Sequence, residues 1–270
     1  MLYSRYQSWH TGLTKFKPLK LRDIKLQFGS NVVLSGISFD MSDRQIVSII
    51  GPNGAGKTSL LNCISGFYKP QSGHIHYGDK EITRLAPYQI AKLGLGRTFQ
   101  NIELYTNMSV LDNAMAGRHN KIRYNTAQAA VWWGQAGSEE VSNRRLVEEI
   151  LDFLEMQHLR NKIVGTLPYG LRKRTELARA LATDPEHLFL DEPMTGMNLE
   201  EREDMARFII DIYEERGIPV TMVEHDMGVV MDISDRVIVL DMGKKIADGT
   251  PADVKADPLV VSAYLGEEGQ

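Results

Sequence analysis

The fold of this chain is decided by one stretch of its sequence, Gly51-Pro52-Asn53-Gly54-Ala55-Gly56-Lys57-Thr58. The stretch lies between an apolar run at residues 46–50 and a helical pattern at residues 59–65. Its glycines allow the backbone to curl around a polyphosphate so that successive N–H groups point inward, and the following helix presents its positive end to the same anion. A strand, this loop and a helix, in that order, predict a phosphate-binding loop, whereas a glycine-rich turn that matches by chance would lack this context.

The end of the loop carries two side chains that suit a nucleoside triphosphate. Lys57 would reach the β- and γ-phosphates, and the hydroxyl of Thr58 would hold Mg²⁺. A phosphate-binding loop alone is shared by kinases, GTPases and motor ATPases. The class of enzyme therefore has to be decided by other parts of the chain.

A second motif ends in two adjacent carboxylates. The apolar run 188–190 leads into Asp191 and Glu192, and a strand buried beside the phosphate loop would bring Asp191 to Mg²⁺ and point Glu192 at the γ-phosphate. A carboxylate there can orient and partly deprotonate an attacking water, which contributes roughly 10² to 10⁴ in rate. His225 follows another β-branched run, residues 218–223, and would donate a hydrogen bond to the γ-phosphate. The alternative is that Asp191 and Glu192 form only the solvated end of a strand.

The order of these motifs resembles that of the nucleotide-binding subunits of ABC transporters, and the resemblance extends from Leu19 to Gly266. It implies that Phe28 stacks on adenine and that Gln100 is the glutamine of the Q-loop. The ATP-binding residues that it implies in this chain are Phe28, Gly51, Pro52, Asn53, Gly54, Ala55, Gly56, Lys57, Thr58 and Ser59. The implied catalytic residues are Glu192, His225 and Gln100, and the implied ligands of Mg²⁺ are Thr58, Gln100 and Asp191.

The family's signature motif corresponds to residues 167–171, and its D-loop to residues 194–198. By resemblance, Pro168, Tyr169 and Gly170 would contact the ATP of a partner cassette. The motif departs from the common Leu-Ser-Gly-Gly-Gln pattern, because Pro168 replaces the serine and Leu171 the glutamine. Anion binding there would depend on backbone N–H groups at the start of a helix at residues 171–182.

Three features resemble the ATPases of branched-chain amino-acid importers: the Tyr-Gly signature, an extended segment between the Q-loop and the signature, and the ending at residues 263–267. We therefore expect an ATP-hydrolysing subunit of an importer for branched-chain amino acids or a related small polar substrate. One alternative is the ATPase of an exporter such as the lipopolysaccharide system, whose signature usually keeps Ser-Gly-Gly. The other is a soluble ABC ATPase acting in translation or on DNA, which generally has paired cassettes or a long coiled-coil insertion.

The pattern of elements and the resemblance together predict an α/β fold, a P-loop NTPase cassette of the ABC type. Runs at residues 19–26 and 32–40 predict a small antiparallel β subdomain. Alternating strands and helices from residue 188 onward predict a mostly parallel core sheet. We expect a flexible extension at residues 1–18, a nucleotide-binding domain at residues 19–266 with a helical subdomain at about 106–185, and a tail at residues 267–270. The basic, aromatic extension could instead contact lipid headgroups or a partner subunit.

The composition agrees with an ATPase subunit that works in the cytoplasm. The net charge of −4 gives no general case for nucleic-acid binding, and the single cysteine, Cys63, excludes an internal disulfide. Apolar stretches long enough to cross a bilayer are missing from the sequence, so a transporter would need other subunits to form the pore. We expect the chain to lie at the cytoplasmic face of the inner membrane, as a peripheral subunit.

The expected partners follow from the resemblance. They are a second ABC cassette, two transmembrane permease subunits and, indirectly, a substrate-binding protein. Because Pro168 and Leu171 remove two polar side chains from the surface that would cover the opposite ATP, we expect a heterodimer with a related cassette rather than a homodimer.

Overall fold

The structure, a computed structural model, describes residues 16–121 and 135–265 of the 270-residue chain. The predicted tail at residues 267–270 lies outside the described residues. So does the pair Trp132-Trp133, for which the sequence predicts a surface hairpin or loop within the helical segment. Of the predicted extension at residues 1–18, only residues 16–18 are described.

The described residues form a regular alternation of strands and helices. The strands are β1 (Leu19–Phe28), β2 (Asn31–Met41), β3 (Ile46–Ile50), β4 (Ser72–Tyr77), β5 (Lys80–Glu81), β6 (Leu95–Arg97), β7 (His187–Asp191), β8 (Val220–Val223), β9 (Arg236–Asp241) and β10 (Lys244–Gly249). The helices are α1 (Lys57–Ile64), α2 (Pro87–Lys92), α3 (Val110–Ala116), α4 (Gln135–Phe153), α5 (Tyr169–Ala182), α6 (Leu199–Arg216), α7 (Met227–Ile233), α8 (Pro251–Ala256) and α9 (Pro258–Leu265). Short 3₁₀ turns occur at Gly117–Lys121, Gln157–Leu159 and Val164–Thr166.

The strands form two sheets. The smaller sheet has the order β2-β1-β4-β5 and is antiparallel throughout. The larger sheet has the order β10-β9-β3-β8-β7-β6, in which the strands from β9 to β6 are parallel and only β10 is antiparallel to its neighbour. The predicted α/β fold, with a mostly parallel core sheet and a small antiparallel sheet, is thereby confirmed.

The larger sheet is covered on both faces, as parallel sheets usually are. Strand β3 shows this directly, because all of its residues are buried. Ile46 and Ile50 belong to the cluster that the sheet forms with the helices, whereas Val47 and Ile49 belong to the cluster shared with the smaller sheet and α1. The alternation follows from the two-residue period of a strand.

Parallel strands end at a common edge, and this edge carries the polar motifs. The phosphate-binding loop follows β3, the carboxylates Asp191 and Glu192 come at the end of β7, and His225 lies two residues after β8. Strand β8 lies between β3 and β7, and β6 lies beyond β7. The order of the strands therefore spreads the polar residues along one continuous edge.

The segment between β6 and β7 is mainly helical, as predicted. Helices α3, α4 and α5 pack against one another. Val147, Ile150, Leu151 and Leu154 recur at helical spacing and are fully buried, at 0% exposure. The pair Asn198 and Glu201, three residues apart in the sequence, predicts a capping box for the long helix α6, and it is present, with Asn198 accepting from the N–H of Glu201 at 2.9 Å.

Two predicted boundaries differ from the structure for local chemical reasons. The strand predicted to start at Ile218 begins at Val220, because Pro219 has no N–H to give to a ladder. The signature helix predicted to start at Leu171 begins at Tyr169, with Pro168 as its N-cap.

Cys63 is buried, and burial raises the pKa of its thiol to about 12, as expected for a packed core residue. Among the described residues, no helix is long and apolar enough to cross a membrane.

Candidate nucleotide-binding site

The phosphate-binding loop turns tightly between β3 and α1. Gly51 and Gly56 have φ angles of 145° and 99°. A Cβ atom at Gly51 would lie 1.9 Å from the carbonyl oxygen of Leu240, and one at Gly56 would lie 2.8 Å from the side chain of Leu34. Only glycine fits at these two positions, so the loop backbone packs directly on neighbouring strands. Gly54 has open space beside its Cα, which places the tip of the loop at the surface.

The hollow of the loop is positively charged. Lys57 is 6% exposed, and its ammonium donates to the carbonyl oxygens of Gly51 at 2.6 Å and Pro52 at 2.9 Å. Gly56 is the N-cap of α1 and brings no side chain to cap the helix, whose first turn has no acidic residue. The start of α1 therefore has no side-chain cap, and the positive end of the helix together with the Lys57 ammonium fits a polyphosphate.

Thr58 and Asp191 form a pair of oxygen ligands beside the loop. The hydroxyl of Thr58 donates to Oδ1 of Asp191 at 3.3 Å, and Asp191 is only 1% exposed. A hydroxyl and one carboxylate suit Mg²⁺, which usually completes its shell with water and substrate phosphates. Within the described ranges, no three His, Cys, Asp or Glu side chains are grouped so that they could hold a metal ion by themselves. An ion bound by this pair would therefore need phosphate oxygens and water as its remaining ligands.

The residues predicted for catalysis meet at one oxygen atom, Oε2 of Glu192. It lies 3.0 Å from Nε2 of His225, accepts from Nε2 of Gln100 at 3.1 Å and accepts from the hydroxyl of Thr195 at 3.4 Å. The side chain of Glu192 is 8% exposed and that of His225 42%. The arrangement holds a nearly buried carboxylate in one orientation, with its histidine partner reaching solvent.

The backbone of Glu192 is itself unusual. Its φ angle is 51°, in the left-handed region that non-glycine residues seldom adopt, and Pro193 follows it. Its N–H donates to the carbonyl oxygen of Val223 at 2.9 Å, and its carbonyl oxygen accepts from Lys173 at 3.4 Å. Strained backbone of this kind persists where neighbouring groups fix it, and it is concentrated at functional sites.

Several charged residues that were assigned no role from the sequence are buried around the site. Arg97 places Nη2 2.9 Å from Oδ2 of Asp191, and burial, opposed by Arg97, raises the pKa of that carboxyl group. Glu224 accepts from the N–H of Met194 at 2.9 Å, and burial raises its pKa as well. The only sequence signal was a charged residue at or next to the end of a short apolar strand.

Two more buried charges tie the signature helix α5 to the Q-loop. Oε1 of Glu176 accepts from the N–H of Phe99 at 3.0 Å, and Nζ of Lys173 donates to the carbonyl oxygen of Gln100 at 3.2 Å. Lys173 and Glu176 lie 4.0 Å apart and are 3% and 2% exposed. The sequence signal for this pair was charge on the buried face of an amphipathic helix.

Phe28 lies at the surface, outside the phosphate-binding loop. Phe28 ends β1, is 50% exposed and meets the ring of Tyr68 edge-on, with centroids 5.1 Å apart. Its role towards adenine stays a prediction. Ser59 lies in the first turn of α1, and Pro52, Asn53 and Ala55 lie in the loop between β3 and α1.

The signature residues pack on the D-loop segment 194–198 and on α6 of the same chain. Pro168 is exposed, and the ring of Tyr169 lies 3.0 Å from where a Cβ on Gly196 would be. Gly170 is buried, and a Cβ there would lie 2.3 Å from Oε1 of Glu201. None of these contacts of Pro168, Tyr169 and Gly170 is a hydrogen bond to Glu192, and their contact with a partner's ATP stays a prediction.

The fold and this edge of the sheet define a P-loop nucleoside triphosphatase. Comparisons with known proteins narrow the class. The family model described as ABC transporter matches residues 34–195, and the model described as branched-chain amino acid ATP-binding cassette transporter matches residues 244–270.

Individual relatives cover nearly the whole chain. The high-affinity branched-chain amino acid transport ATP-binding protein BraF of Pseudomonas aeruginosa is 37% identical over 92% of this chain and 98% of its own length. The protein LivG of Escherichia coli, described in the same words, is 35% identical over the same shares. A solved ATP-binding cassette of an ABC transporter in its ADP conformation superposes with a TM-score of 0.80 at 29% identity, over 93% of this chain and 99% of the other. The chain belongs to the ABC transporter family of ATP-binding subunits, and it is an ABC-type ATPase.

The position of Lys57 predicts the effect of removing it. Lys57→Ala deletes the charged donor inside the loop, so we expect the affinity for ATP to fall by about tenfold or more. Equilibrium binding of a fluorescent ATP analogue measures this, with Lys80→Ala, which changes an exposed lysine of β5, as the matched control. Equal affinities of Lys57→Ala and the parent chain would refute the assignment of the phosphate-binding loop.

Proposed function

We propose that this chain powers an importer of branched-chain amino acids, or of a related small polar substrate, from the cytoplasmic face of the membrane. The observation that carries the hydrolytic part is the meeting of His225 and Gln100 at Oε2 of Glu192, next to the loop that contains Lys57. The transported substrate is inferred from the relatives, which are named as branched-chain amino acid transport proteins. This chain matches them over nearly their whole length.

In the proposed reaction, ATP binds with its phosphates in the loop hollow, where Lys57 and the N–H groups at the start of α1 neutralise their charge. Glu192 orients the water that attacks the γ-phosphorus and takes its proton, while the bond from that phosphorus to the β–γ bridging oxygen breaks and ADP leaves. His225 and Gln100 hold the Glu192 carboxylate in place and contact the γ-phosphate. Phe28 would stack on adenine, because it is an exposed ring at the end of β1.

Thr58, Asp191 and Gln100 are the proposed protein ligands of Mg²⁺. The ion would neutralise charge that develops on the phosphates. Thr58 and Asp191 lie within hydrogen-bonding distance, and the side chain of Gln100 reaches the same part of the site through its contact with Glu192. These residues would hold the ion, with Thr58 coming from α1 and Asp191 from the end of β7.

The signature residues Pro168, Tyr169 and Gly170 are proposed to cover the ATP of a second cassette. ATP would then form part of an interface, and its hydrolysis would release the two cassettes and move the attached permease subunits. This movement is a shift in the populations of closed and open states. Its size is set by the difference in ATP affinity between the two states. A substrate-binding protein would deliver the amino acid from the other side.

The role of Glu192 can be separated from nucleotide binding. Glu192→Gln keeps the shape of the side chain but removes the base, so we expect unchanged ATP binding and hydrolysis slowed about a hundredfold or more. Phosphate release and ATP affinity are measured on the same preparation, with Glu203→Gln as a matched control at an exposed position of α6. Normal turnover in Glu192→Gln would show that another group orients the water.

The transport role is tested by the partners that the chain keeps in native membranes. We expect the tagged protein to co-purify with two permeases and a second cassette. In liposomes, ATP hydrolysis by that complex should rise when a binding protein loaded with leucine, isoleucine or valine is added. Stimulation by an unrelated substrate alone, or purification without any permease, would contradict the proposed importer.

The departures in the signature predict how the cassettes pair. Because Pro168 and Leu171 lack the polar groups that would bind the opposite ATP, we expect Glu192→Gln with ATP to remain monomeric at low micromolar concentration and to dimerise with a related cassette. Sedimentation velocity distinguishes the two. A tight homodimer formed by this chain alone would overturn the heterodimer, and a Pro168→Ser, Leu171→Gln double variant that self-associates more strongly would support the stated cause.

A further inference from the structure

Arg97 is a buried cation that the proposed hydrolysis does not use. It ends the three-residue strand β6, and its side chain is 6% exposed. Its Nη2 donates to Oδ2 of Asp191 at 2.9 Å, and its Nη1 donates to the hydroxyl of Ser65 at the end of α1. One guanidinium therefore joins the carboxylate at the end of β7 to the helix that follows the phosphate-binding loop.

The orientation of this guanidinium is fixed on its other sides by aromatic rings. Its central carbon lies 5.2 Å from the ring centroid of Phe99 and 5.9 Å from that of Phe67. The two rings also contact each other edge-on, at 5.4 Å. Cations favour such positions beside aromatic rings, and the negative end of α1 at Ser65 favours a cation as well. Two hydrogen bonds and two aromatic rings therefore set the orientation of the Arg97 guanidinium.

The contacts divide the two oxygens of Asp191 between two partners. Oδ2 is engaged by Arg97, whereas Oδ1 faces the hydroxyl of Thr58 at 3.3 Å. The N–H of Asp191 is held in addition by the hydroxyl of Thr98 at 3.3 Å. With Oδ2 occupied, Oδ1 is the oxygen presented to an ion that Thr58 also binds. The planar guanidinium matters here because it can bind a carboxylate and a hydroxyl at the same time, which a lysine ammonium does with less directional control.

We infer that Arg97 is a positioning residue that fixes the carboxylate of Asp191 for Mg²⁺, an inference that rests on the proposed function of the site. Outer partners of ligating carboxylates orient them, and losing such a partner typically weakens metal binding about 10- to 100-fold. The opposite effect is physically possible, because a cation beside the carboxylate also repels a second cation. The sign of the change on removing Arg97 therefore decides between positioning and competition.

The test uses the full chain with Glu192→Gln, so that ATP is bound without being turned over. Binding of ATP is measured in EDTA and then as a function of added MgCl₂, in the parent, Arg97→Met and Arg97→Lys. Arg236→Met is the matched control, because Arg236 also pairs with a carboxylate, making two hydrogen bonds to Asp248 at 2.7 and 2.9 Å. Arg236 begins β9, whereas Arg97 ends β6 of the same sheet, so Arg236 lies at the edge away from the site.

We expect Arg97→Met to bind metal-free ATP like the parent but to need about tenfold more Mg²⁺ for half of the Mg²⁺-dependent gain in affinity. Arg97→Lys should fall between the two, and Arg236→Met should match the parent. An unchanged or lower Mg²⁺ requirement in Arg97→Met overturns the inference. So does an affinity for ATP that falls as much in EDTA as it does with MgCl₂, because that result would mark a merely structural role.

If Arg97→Met does not fold, as judged by its thermal unfolding, Arg97→Lys decides alone. An Mg²⁺ requirement equal to that of the parent then overturns the inference. Failure of the proposed function looks different, because the parent itself would then show no ATP binding or no gain in affinity with Mg²⁺.

Discussion

The site is organised around one buried charge, the carboxylate of Asp191. A carboxylate that is 1% exposed is expensive to keep ionised unless it is paired and hydrogen-bonded. Here Arg97 takes one oxygen and Thr58 the other. The requirement couples distant parts of the chain, since Thr58 belongs to α1, Arg97 to β6 and Asp191 to β7. Because all three must meet, the order of the strands and the position of α1 are fixed together.

The close packing of the loop imposes a second constraint. Gly51 lies against the carbonyl oxygen of Leu240, and Gly243 lies so near Val33 that a Cβ there would be 2.4 Å from its carbonyl oxygen. The loop, the β9–β10 turn and the small sheet therefore share backbone contacts without side chains between them. The N–H of Gly243 donates to the carbonyl oxygen of Ala55 at 3.1 Å, and the N–H of Ser35 to that of Gly243 at 2.8 Å. The hollow is shaped by main-chain atoms, which change little when side chains vary.

Much of this could be predicted from the sequence, because the motifs are local. The loop, the pair Asp191-Glu192 and the capping box at Asn198 each depend on residues within a few positions of one another. Arg97 could not be placed in the same way, since its partner is 94 residues away and becomes a neighbour only through the pairing of β6 with β7. Strand β6 is too short for its periodicity to be informative. The left-handed backbone of Glu192 was equally hidden, because it follows from its bonds to Val223 and Lys173.

The same reasoning connects the site to the signature helix. Lys173 lies on the buried face of α5, where an apolar residue would need no hydrogen-bond partner. Its ammonium donates to the carbonyl oxygens of Gln100 and Glu192. Glu176 takes the N–H of Phe99 from the same side. Buried polar groups are costly to leave without partners, so a shift of Gln100 or Glu192 relative to α5 must break these bonds or carry the helix along. Carrying the helix preserves the bonds. These bonds connect the end of β7 and the Q-loop directly to α5, whose amino end carries the exposed residues Pro168 and Tyr169.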